Sequence, residues 1–310
     1  MSGLRSRAEE YLAMRRALGF KLIAQGRHVM SFAAFCEERG SDRVTADLAV
    51  EWATATTSGD EVYQARRLDS ARIFARHLQA LDSATEVPPE DVLSRRYGRM
   101  PPYLYSPQEI SALMSAAGDL RPALRAAAWR TLIGLLAVTG MRQGEACRLR
   151  RDDVDLEAGT ITILDSKFGK SRQVFLDPTA IVALRAWQQA RDEAFPEHRT
   201  GAFLVNGKGR PLAGSTIQHQ FAALARTAGI QAPPGRRPPR LHDLRHVFTV
   251  ATMLDFYRDG GNVRARLPVL STWLGHVDPK STYWYLQAVP ELLALAAGRV
   301  EQQADGRAAL

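Results

Sequence analysis

The sequence predicts a mainly α-helical protein of two domains, with a small antiparallel β-sheet in the second domain. Apolar residues recur at helical spacing through most of the 310-residue chain, which is long enough for two ordinary cores. Proline pairs interrupt this pattern near residues 88–102, which indicates a linker. Two short runs of strand-forming residues lie close together near the middle of the chain, which indicates paired strands.

The first domain is expected to be an all-helical bundle over residues 1–94. Four helical patterns occur in it, separated by short polar breaks and with no convincing strand between them. They are "LRSRAEEYLAMRRALGF", "GRHVMSFAAFCEERG", "TADLAVEWATAT" and "EVYQARRLDSARIFARHLQAL". The stretch "VPPEDVLSRRYGRMPPYLY" leads out of the bundle, and residues 95–105 are predicted to be the linker.

The second domain is predicted to span residues 106–310. Ser106 and Glu109, with a proline between them, form the capping-box pattern that is typical of a helix start. The run "LRAAAWRTLIGLLAVTG" is apolar on nearly every side, so we expect a central buried helix that ends at Gly140. "GTITIL" and "SRQVFL" predict two adjacent antiparallel strands separated by "DSKFGK", and "AFLV" is a candidate third strand. Helices are expected to resume from about Ser215.

The net charge of +8 points to a polyanionic partner, most often a nucleic acid, and the basic excess lies mainly beyond residue 100. No signal peptide or membrane-spanning run is recognisable, so we expect a cytoplasmic protein without a membrane partner. The two cysteines lie far apart and outside any metal-ligand spacing. His242 and His246 stand four residues apart, but no third ligand is evident near them, so neither a metal nor another cofactor is expected.

Candidate functional residues lie at the ends of predicted helices and strands of the second domain, or in the loops between them. They are Arg142 after the predicted helix stop, Lys167 between the strands, His242 and Arg245 on one helix face, His276, and Tyr285 nine residues later. Each residue alone has an ordinary structural explanation, such as a helix-end arginine, a solvated turn lysine or a core aromatic. Together they fit one reaction, in which arginines neutralise a pentacoordinate phosphate, a tyrosine attacks it, and lysine and histidine move protons.

Four segments of this domain resemble the conserved motifs of a known protein family. In order they are "TGMRQGEACRLRRDDVD", "SKFGKSRQVFL", "HDLRH" and "LGHVDPKSTYWY". They resemble the tyrosine recombinase (phage integrase) family of DNA breaking-and-rejoining enzymes, and the resemblance covers about residues 104–289. The helical first domain matches the family's core-binding domain in kind only. The resemblance places the family's catalytic positions on Arg142, Lys167, His242, Arg245, His276 and Tyr285, and its usual glutamate on Glu145.

The resemblance implies a mechanism. Tyr285 would attack a DNA phosphodiester, leaving a 3′-phosphotyrosyl link and a free 5′-hydroxyl group. His242 would accept the proton of Tyr285, and Lys167 would protonate the leaving oxygen. The non-bridging oxygens would be held by Arg142, Arg245 and His276. Because the covalent link conserves the bond energy, neither ATP nor a metal is expected.

The resemblance also implies an assembly. Members of the family act as tetramers on two double-stranded DNA sites and exchange strands through a Holliday junction, and their two domains clamp the duplex. We therefore expect a homotetramer on DNA or a mixture with related recombinase subunits. The segment "PELLALAAG" from Pro290 is a candidate for the helix that such proteins dock on a neighbouring subunit, and a frayed terminus is the alternative.

Several alternatives remain open at this point. Tyr283 lies two residues from Tyr285 and is a weaker candidate nucleophile. The chain could be a DNA-binding accessory protein of a mobile element that retains the fold, or an enzyme like the type IB topoisomerases that acts on one duplex. The target DNA sequence and the kind of genetic element are not determined by these residues.

Further DNA contacts are expected close to the catalytic helix. Arg236, Arg237 and Arg240 lie in the loop "PPGRRPPR" directly before it, and a solvated loop is the alternative. Lys170 lies near Lys167, and we expect it to contact DNA as well; it is also the next candidate for the general acid.

Overall fold

The computed structural model describes residues 3–56, 60–93, 101–164, 171–197, 200–212, 214–276, 278 and 280–298. The chain divides into two compact units, Met1–Arg99 and Met100–Leu310. Within the described residues the structure is mostly helical with one small antiparallel sheet, so the predicted fold class is confirmed. None of the described helices is long and apolar enough to cross a membrane.

The first unit is a bundle of helices around buried aromatic and aliphatic side chains. Its helices are α1 (Leu4–Ala17), α2 (Ile23–Glu38), α3 (Ala46–Thr54) and α4 (Glu61–Gln79). Thr45 caps α3 by accepting a hydrogen bond from the backbone N–H of Leu48, and Asp60 caps α4 by accepting one from Val62. The largest side chains in the core include Tyr11, Phe32, Trp52 and Phe74.

The second unit carries the sheet together with further helices. Its helices are α5 (Pro107–Gly118), α6 (Ala123–Thr139), α7 (Gln143–Arg148), α8 (Pro178–Ala194), α9 (Gly214–Thr227), α10 (Asp243–Arg258), α11 (Val263–Leu274) and α12 (Lys280–Ala288). Its strands are β1 (Val154–Asp155), β2 (Thr160–Ile163) and β3 (Arg172–Phe175). Residues 290–298 are also helical.

Two helix boundaries of the second unit follow from local sequence signals. The hydroxyl of Ser106 accepts a hydrogen bond from the backbone N–H of Glu109, whose carboxylate accepts one from the backbone N–H of Ser106. Helix α6 packs against α5, α8 and α10, which explains why it is apolar on nearly every side. It ends at Gly140, whose left-handed φ of +63° is strained for any residue with a Cβ.

The sheet has the strand order β1-β2-β3, and both pairs are antiparallel. The two predicted strands form β2 and β3, with Ile163 opposite Arg172. The prediction for "AFLV" as a third strand is wrong, because Ala202 and Val205 form only isolated bridges and the third strand is β1. The carbonyl oxygen of Phe203 accepts hydrogen bonds from the side chains of Trp187 and Arg191, so its hydrogen-bonding capacity is used by α8.

Helices α10, α11 and α12 enclose a second apolar cluster in this unit. Buried side chains from all three helices contribute to it, namely Val250, Met253, Leu267, Leu270, Leu274 and Tyr285. The start of α10 and the end of α11 thereby lie beside the end of α6. The segment before α12 and the N-terminus of α7 meet the same region, since Arg142 donates a hydrogen bond to the carbonyl oxygen of Gly275.

Replacing Gly140 by alanine is expected to destabilise the second unit. A Cβ at this position would overlap the ring of Phe248, and the left-handed backbone adds its own strain. We expect a loss of roughly 2–5 kcal/mol in the free energy of unfolding, the sum of strain and overpacking costs, measured by urea denaturation. Gly260 is the matched control because it also has a positive φ but nothing lies within 4 Å of its added Cβ. Equal losses in the two variants would contradict a role for the contact with Phe248.

Candidate active site

Arg142 is the N-cap residue of α7, three residues after the end of α6. Its Nη1 donates to a carboxylate oxygen of Glu145 at 2.7 Å, and its Nη2 donates to the carbonyl oxygen of Gly275 at 2.8 Å. The backbone N–H of Arg142 donates to the other oxygen of Glu145. The guanidinium is thus fixed from two sides, while 27% of the side chain remains exposed. A fixed and partly exposed guanidinium is suited to binding an anion.

Glu145 joins Arg142 to a second arginine that sequence reasoning missed. Arg172, the first residue of β3, donates to both oxygens of Glu145, at 3.1 and 2.8 Å, and to the carbonyl oxygen of Trp273. Burial alone would raise the pKa of Glu145, but the hydrogen bonds from Arg172 and Arg142 outweigh it and hold the pKa at about 2. The glutamate therefore stays ionised near neutral pH and holds two guanidinium groups in place.

Gly275 allows this close approach of the two guanidinium groups. It has a left-handed φ of +67° at the end of α11. An added Cβ would lie 2.8 Å from Nη1 of Arg172 and 3.4 Å from Nη1 of Arg142. Any larger residue here would displace the arginines. Their packing and the left-handed backbone angle therefore both require glycine at this position.

Arg245 lies in the first turn of α10 and is buried, with 3% exposure. Its two terminal nitrogens donate to the carbonyl oxygens of Gly140 and Leu274, at 2.7 Å each. These carbonyls belong to the ends of α6 and α11, where helix carbonyls lack intrahelical partners. Burial and, to a smaller extent, the charge of Arg142 lower the pKa of Arg245 to about 9, yet the group stays protonated near neutral pH. The residue therefore joins two helix ends and supplies a buried positive charge.

His276 directly follows Gly275. Its Nδ1 lies 2.7 Å from the hydroxyl of Thr282, which is 1% exposed. The backbone N–H of His276 donates to the carbonyl oxygen of Ser271. These contacts fix the orientation of the imidazole, which is half-buried, beside the carbonyl that binds Arg142.

Tyr285 lies on α12 and is buried, with 2% exposure, whereas Tyr283 is 43% exposed. The phenol oxygen of Tyr285 lies 2.5 Å from Nδ1 of His246, a buried residue of α10. This contact brings the phenol to the start of α10, where Arg245 directly precedes His246. His242 precedes α10 and is half-buried, with its ring centroid 5.1 Å from that of His246.

Asp243 occupies the first position of α10 and is completely buried. It accepts hydrogen bonds from Nη2 of Arg237 at 2.7 Å and from the backbone N–H of Arg240 at 2.8 Å. Burial raises the pKa of its carboxyl group to about 6, although Arg240 acts in the opposite direction. Two of the predicted DNA-binding arginines therefore make structural contacts, whereas Arg236 is exposed on the loop.

The structure brings five of the six predicted catalytic residues to one region. Arg142, Arg245 and His276 meet through the ends of α6 and α11, and Tyr285 reaches the start of α10, which carries His242. Lys167 and Lys170 lie outside the described residues. The flanking strands end at Ile163 and begin at Arg172, and the Arg172 side chain belongs to the cluster.

Sequence reasoning missed Arg172, Asp243 and the contact of His246. The sequence indicates His246 only as one of two histidines at a metal-ligand spacing. The signal for Arg172 was its place in the strand that follows the lysine turn, and the signal for Asp243 was an acidic residue in the first turn of a helix. Within the described ranges no group of three or more His, Cys, Asp or Glu residues is placed to hold a metal ion.

Comparison with known proteins gives a consistent result. The model of the phage integrase family matches residues 104–291. A protein of Sinorhizobium fredii named as an integrase/recombinase, y4rB, is 38% identical, and the alignment covers 99% of this chain and 100% of that protein. The tyrosine recombinase XerC of Mycobacterium tuberculosis is 30% identical over 95% of this chain and 97% of its own length.

Solved structures share the fold at lower identity. The Tn1549 transposon integrase, in complex with transposon right end DNA, superposes with a TM-score of 0.69 and 17% identity and covers 98% of this chain and 100% of that chain. A lambda integrase tetramer bound to a Holliday junction superposes with a TM-score of 0.61 and 17% identity, covering 90% of this chain and 79% of that chain.

Proposed function

The chain belongs to the phage integrase family, the tyrosine recombinases, and we propose that it cuts and rejoins DNA at specific sites through a covalent 3′-phosphotyrosyl intermediate. The observation that carries this proposal is that the phenol of Tyr285 reaches the start of α10, where it contacts His246, the residue directly after the buried Arg245. A tyrosine is a weak nucleophile toward a phosphodiester unless nearby cations stabilise the charge that develops on the phosphorus oxygens.

The cluster supplies those cations. Arg142, Arg172 and Arg245 carry three positive charges, and Glu145 compensates one of them. Arg142 keeps part of its side chain exposed, so a phosphate has access to at least one guanidinium group. We propose that Arg142 and Arg245, with His276, hold the non-bridging oxygens of the scissile phosphate, and that Glu145 and Arg172 keep Arg142 in place.

The proposed reaction replaces each phosphoester bond that it breaks by a new one. The phenol oxygen of Tyr285 forms a bond to phosphorus while the bond from phosphorus to the 5′ oxygen breaks and leaves its electron pair on that oxygen. Lys167 is proposed to protonate this leaving oxygen, and His242 is the proton acceptor that the family resemblance implies. A 5′-hydroxyl group from a second strand then reverses the attack and joins the new strands, so we expect neither ATP nor a metal to be required.

The proposal extends to the assembly. We propose that four copies of the chain, or copies together with related recombinase subunits, act on two double-stranded sites through a Holliday junction. The two units would clamp the duplex, with phosphate contacts supplying much of the affinity. The net charge of +8 agrees with such a partner.

A two-site assay tests this function. Duplexes that the purified protein selects from a random-sequence library would be mixed in pairs of different length and incubated with the protein in excess EDTA. We expect Holliday junctions and recombinant duplexes of exchanged length. Relaxation of supercoiled DNA without junctions would indicate a topoisomerase instead, and binding without a covalent adduct would indicate an accessory protein.

The loop before α10 is expected to contact DNA phosphates through Arg236 and Arg240, since both side chains are exposed. Replacing both by alanine should weaken binding to all sequences and flatten the dependence of the logarithm of affinity on that of salt concentration by roughly two units, about 0.9 for each lost contact. Arg237→Ala is the matched control, because its side chain is only 24% exposed and lies 2.7 Å from buried Asp243, whereas that of Arg240 is 52% exposed and lies 3.5 Å from the same carboxylate. An unchanged salt dependence in the double variant would mean that the loop makes no phosphate contacts through these two arginines.

Lys167 is expected to act as the general acid. If so, Lys167→Ala should cleave ordinary DNA very slowly but recover much of its rate when sulfur replaces the bridging 5′ oxygen, because a thiolate with a pKa of about 8.5 leaves without a proton. Arg142→Ala should recover little, since it loses charge stabilisation and not a proton donor. Equal recovery of the two variants would mean that Lys167 binds the phosphate and is not the general acid. Lys170 would then be the next residue to test as the acid.

A further inference from the structure

The phenol of Tyr285 has a specific partner that the family motif does not include. Its oxygen lies 2.5 Å from Nδ1 of His246, within the range of a strong hydrogen bond. Both residues are at least nine-tenths buried, at 2% and 5% exposure. The two lie on different helices, α12 and α10, so the contact depends on the packing of the second unit and is not a local pairing.

A carboxylate lies on the other side of the imidazole. Nε2 of His246 is 3.8 Å from Oδ1 of Asp243, too long for a hydrogen bond but close enough for electrostatic attraction. Asp243 is in turn held by Arg237 and by the backbone N–H of Arg240. A carboxylate at this position favours the tautomer with hydrogen on Nε2, and that tautomer leaves the lone pair of Nδ1 to accept the phenol proton.

We infer that His246, in place of the His242 that the family resemblance implies, accepts the proton of Tyr285 when the tyrosine attacks DNA, and that Asp243 orients it. His246 is then a further catalytic residue, and His242 is not the proton acceptor. This inference rests on the proposed function and assigns one of its steps. The order of carboxylate, imidazole and nucleophile is the one by which a base activates a hydroxyl group in other enzymes. The imidazole already contacts the phenol in the DNA-free chain.

The step balances without a further reactant. As the phenol O–H bond breaks, the proton moves to Nδ1 of His246 and the oxygen forms its bond to phosphorus, while the 5′ oxygen takes the electron pair of the bond that breaks. In the reverse reaction the 5′-hydroxyl attacks and the departing phenol oxygen takes the proton back from His246. Neither direction consumes an oxidant, a reductant or a metal ion.

The charged and titratable groups around His246 come from three elements. His242 and Asp243 precede it on α10 and its N-cap, Arg245 is adjacent on the same helix, and Tyr285 faces it from α12. Arg237 acts through Asp243 from the loop before α10. The imidazolium formed in the step is balanced by the carboxylate of Asp243, whereas Arg245 favours the phenolate.

His246→Asn tests the inference, because the asparagine amide lies near the position of Nδ1 but accepts no proton. Single-turnover cleavage of a nicked suicide duplex would be measured against pH. Wild-type cleavage should level off once the imidazole is neutral. The variant should lose about 100- to 10,000-fold near neutral pH, and its remaining rate should rise tenfold per pH unit because it requires the ionised phenol.

His242→Asn is the matched control, since it makes the same change one turn earlier on the same surface. It should keep the wild-type shape of the pH profile whatever its rate. DNA affinity and the unfolding temperature of both variants would show that each is folded. Site-specific 3-fluorotyrosine at position 285, which ionises at lower pH than tyrosine, should restore cleavage to His246→Asn but not to His242→Asn.

The outcomes separate this inference from the function on which it rests. A wild-type protein that forms no adduct removes the proposed function itself. If the wild type forms an adduct and His246→Asn has the wild-type rate and pH profile, His246 has a structural role only. If His246→Asn cleaves faster than the wild type, His246 holds the phenol back from attack and is not its proton acceptor. Should His246→Asn not fold, fluorotyrosine in the wild type decides: an unchanged levelling-off pH supports His246 as acceptor, and a lower one contradicts it.

Discussion

Replacing Arg245 by alanine is expected to lower the rate of DNA strand cleavage by at least about a hundredfold, the effect of removing one donor that stabilises a transition state. Along α10, Arg245 directly precedes His246, the partner of Tyr285. Its guanidinium is buried and donates to the carbonyl oxygens of Gly140 and Leu274. The same change leaves two buried carbonyl oxygens without their hydrogen-bond donor, and each loss lowers the free energy of unfolding by about 1–3 kcal/mol. Cleavage would therefore be measured in single turnover below the unfolding temperature of the variant.

A second buried arginine separates the chemical effect from the structural one. Arg191 is 1% exposed and also donates to a backbone carbonyl, that of Phe203, but it lies in α8 and outside the cluster around Arg142. Arg191→Ala should lower the unfolding temperature without slowing cleavage by a folded enzyme. If Arg245→Ala and Arg191→Ala lost stability alike and both cleaved at the wild-type rate, Arg245 would have no part in the chemistry.

Replacing Tyr285 by phenylalanine is expected to abolish the covalent adduct with DNA altogether. Only the phenol oxygen is lost, so the ring keeps its place in the apolar cluster of α10, α11 and α12. The change also removes the hydrogen-bond partner of Nδ1 of His246, which costs about 1–3 kcal/mol in a buried position. Specific DNA binding should therefore persist at a temperature where the variant is folded, and it would be measured by electrophoretic mobility shift.

Tyr283→Phe is the matched control for that variant. Tyr283 lies two residues away on the same helix but is 43% exposed and does not belong to the apolar cluster. It should form the adduct at close to the wild-type rate. Adduct formation by Tyr285→Phe, together with loss of the adduct in Tyr283→Phe, would transfer the nucleophile to Tyr283.

Local signals explain what the sequence predicted well. The capping box at Ser106 and the stop at Gly140 depend on hydrogen bonds and backbone angles within a few residues, so the pattern of residue types is sufficient. The central helix α6 is apolar on nearly every side because neighbours cover it from several directions. Tyr285 and the motif arginines were found because their order along the chain resembles a known family.

Contacts between distant segments explain what the sequence did not predict. Arg172 and Glu145 are 27 residues apart, and His246 and Tyr285 are 39 residues apart, so no helical or strand spacing relates them. "AFLV" has the composition of a strand, but α8 takes the carbonyl of Phe203, and a two-residue segment became the third strand instead. Propensity is a weak guide where tertiary contacts decide which backbone groups are paired.

Arg237 illustrates the same limit for charged residues. A run of arginines in a proline-rich loop predicts phosphate contacts. The sequence alone does not reveal that Arg237 pairs with the buried carboxylate of Asp243, six residues later. The pairing with Asp243 leaves Arg236 and Arg240 as the exposed members of the group. The expected DNA contacts of the loop are therefore fewer than its composition implies.

The central claim is that Tyr285 becomes covalently attached to a 3′ phosphate of DNA without the help of a metal ion. The most direct test is to trap the wild-type adduct on a nicked suicide duplex in excess EDTA, digest the protein, and identify the modified peptide by mass spectrometry. We predict a nucleotide joined through its 3′ phosphate to Tyr285, with a free 5′-hydroxyl group on the released strand. An adduct on another residue, attachment through a 5′ phosphate, or cleavage that stops in EDTA and returns with magnesium would contradict the account.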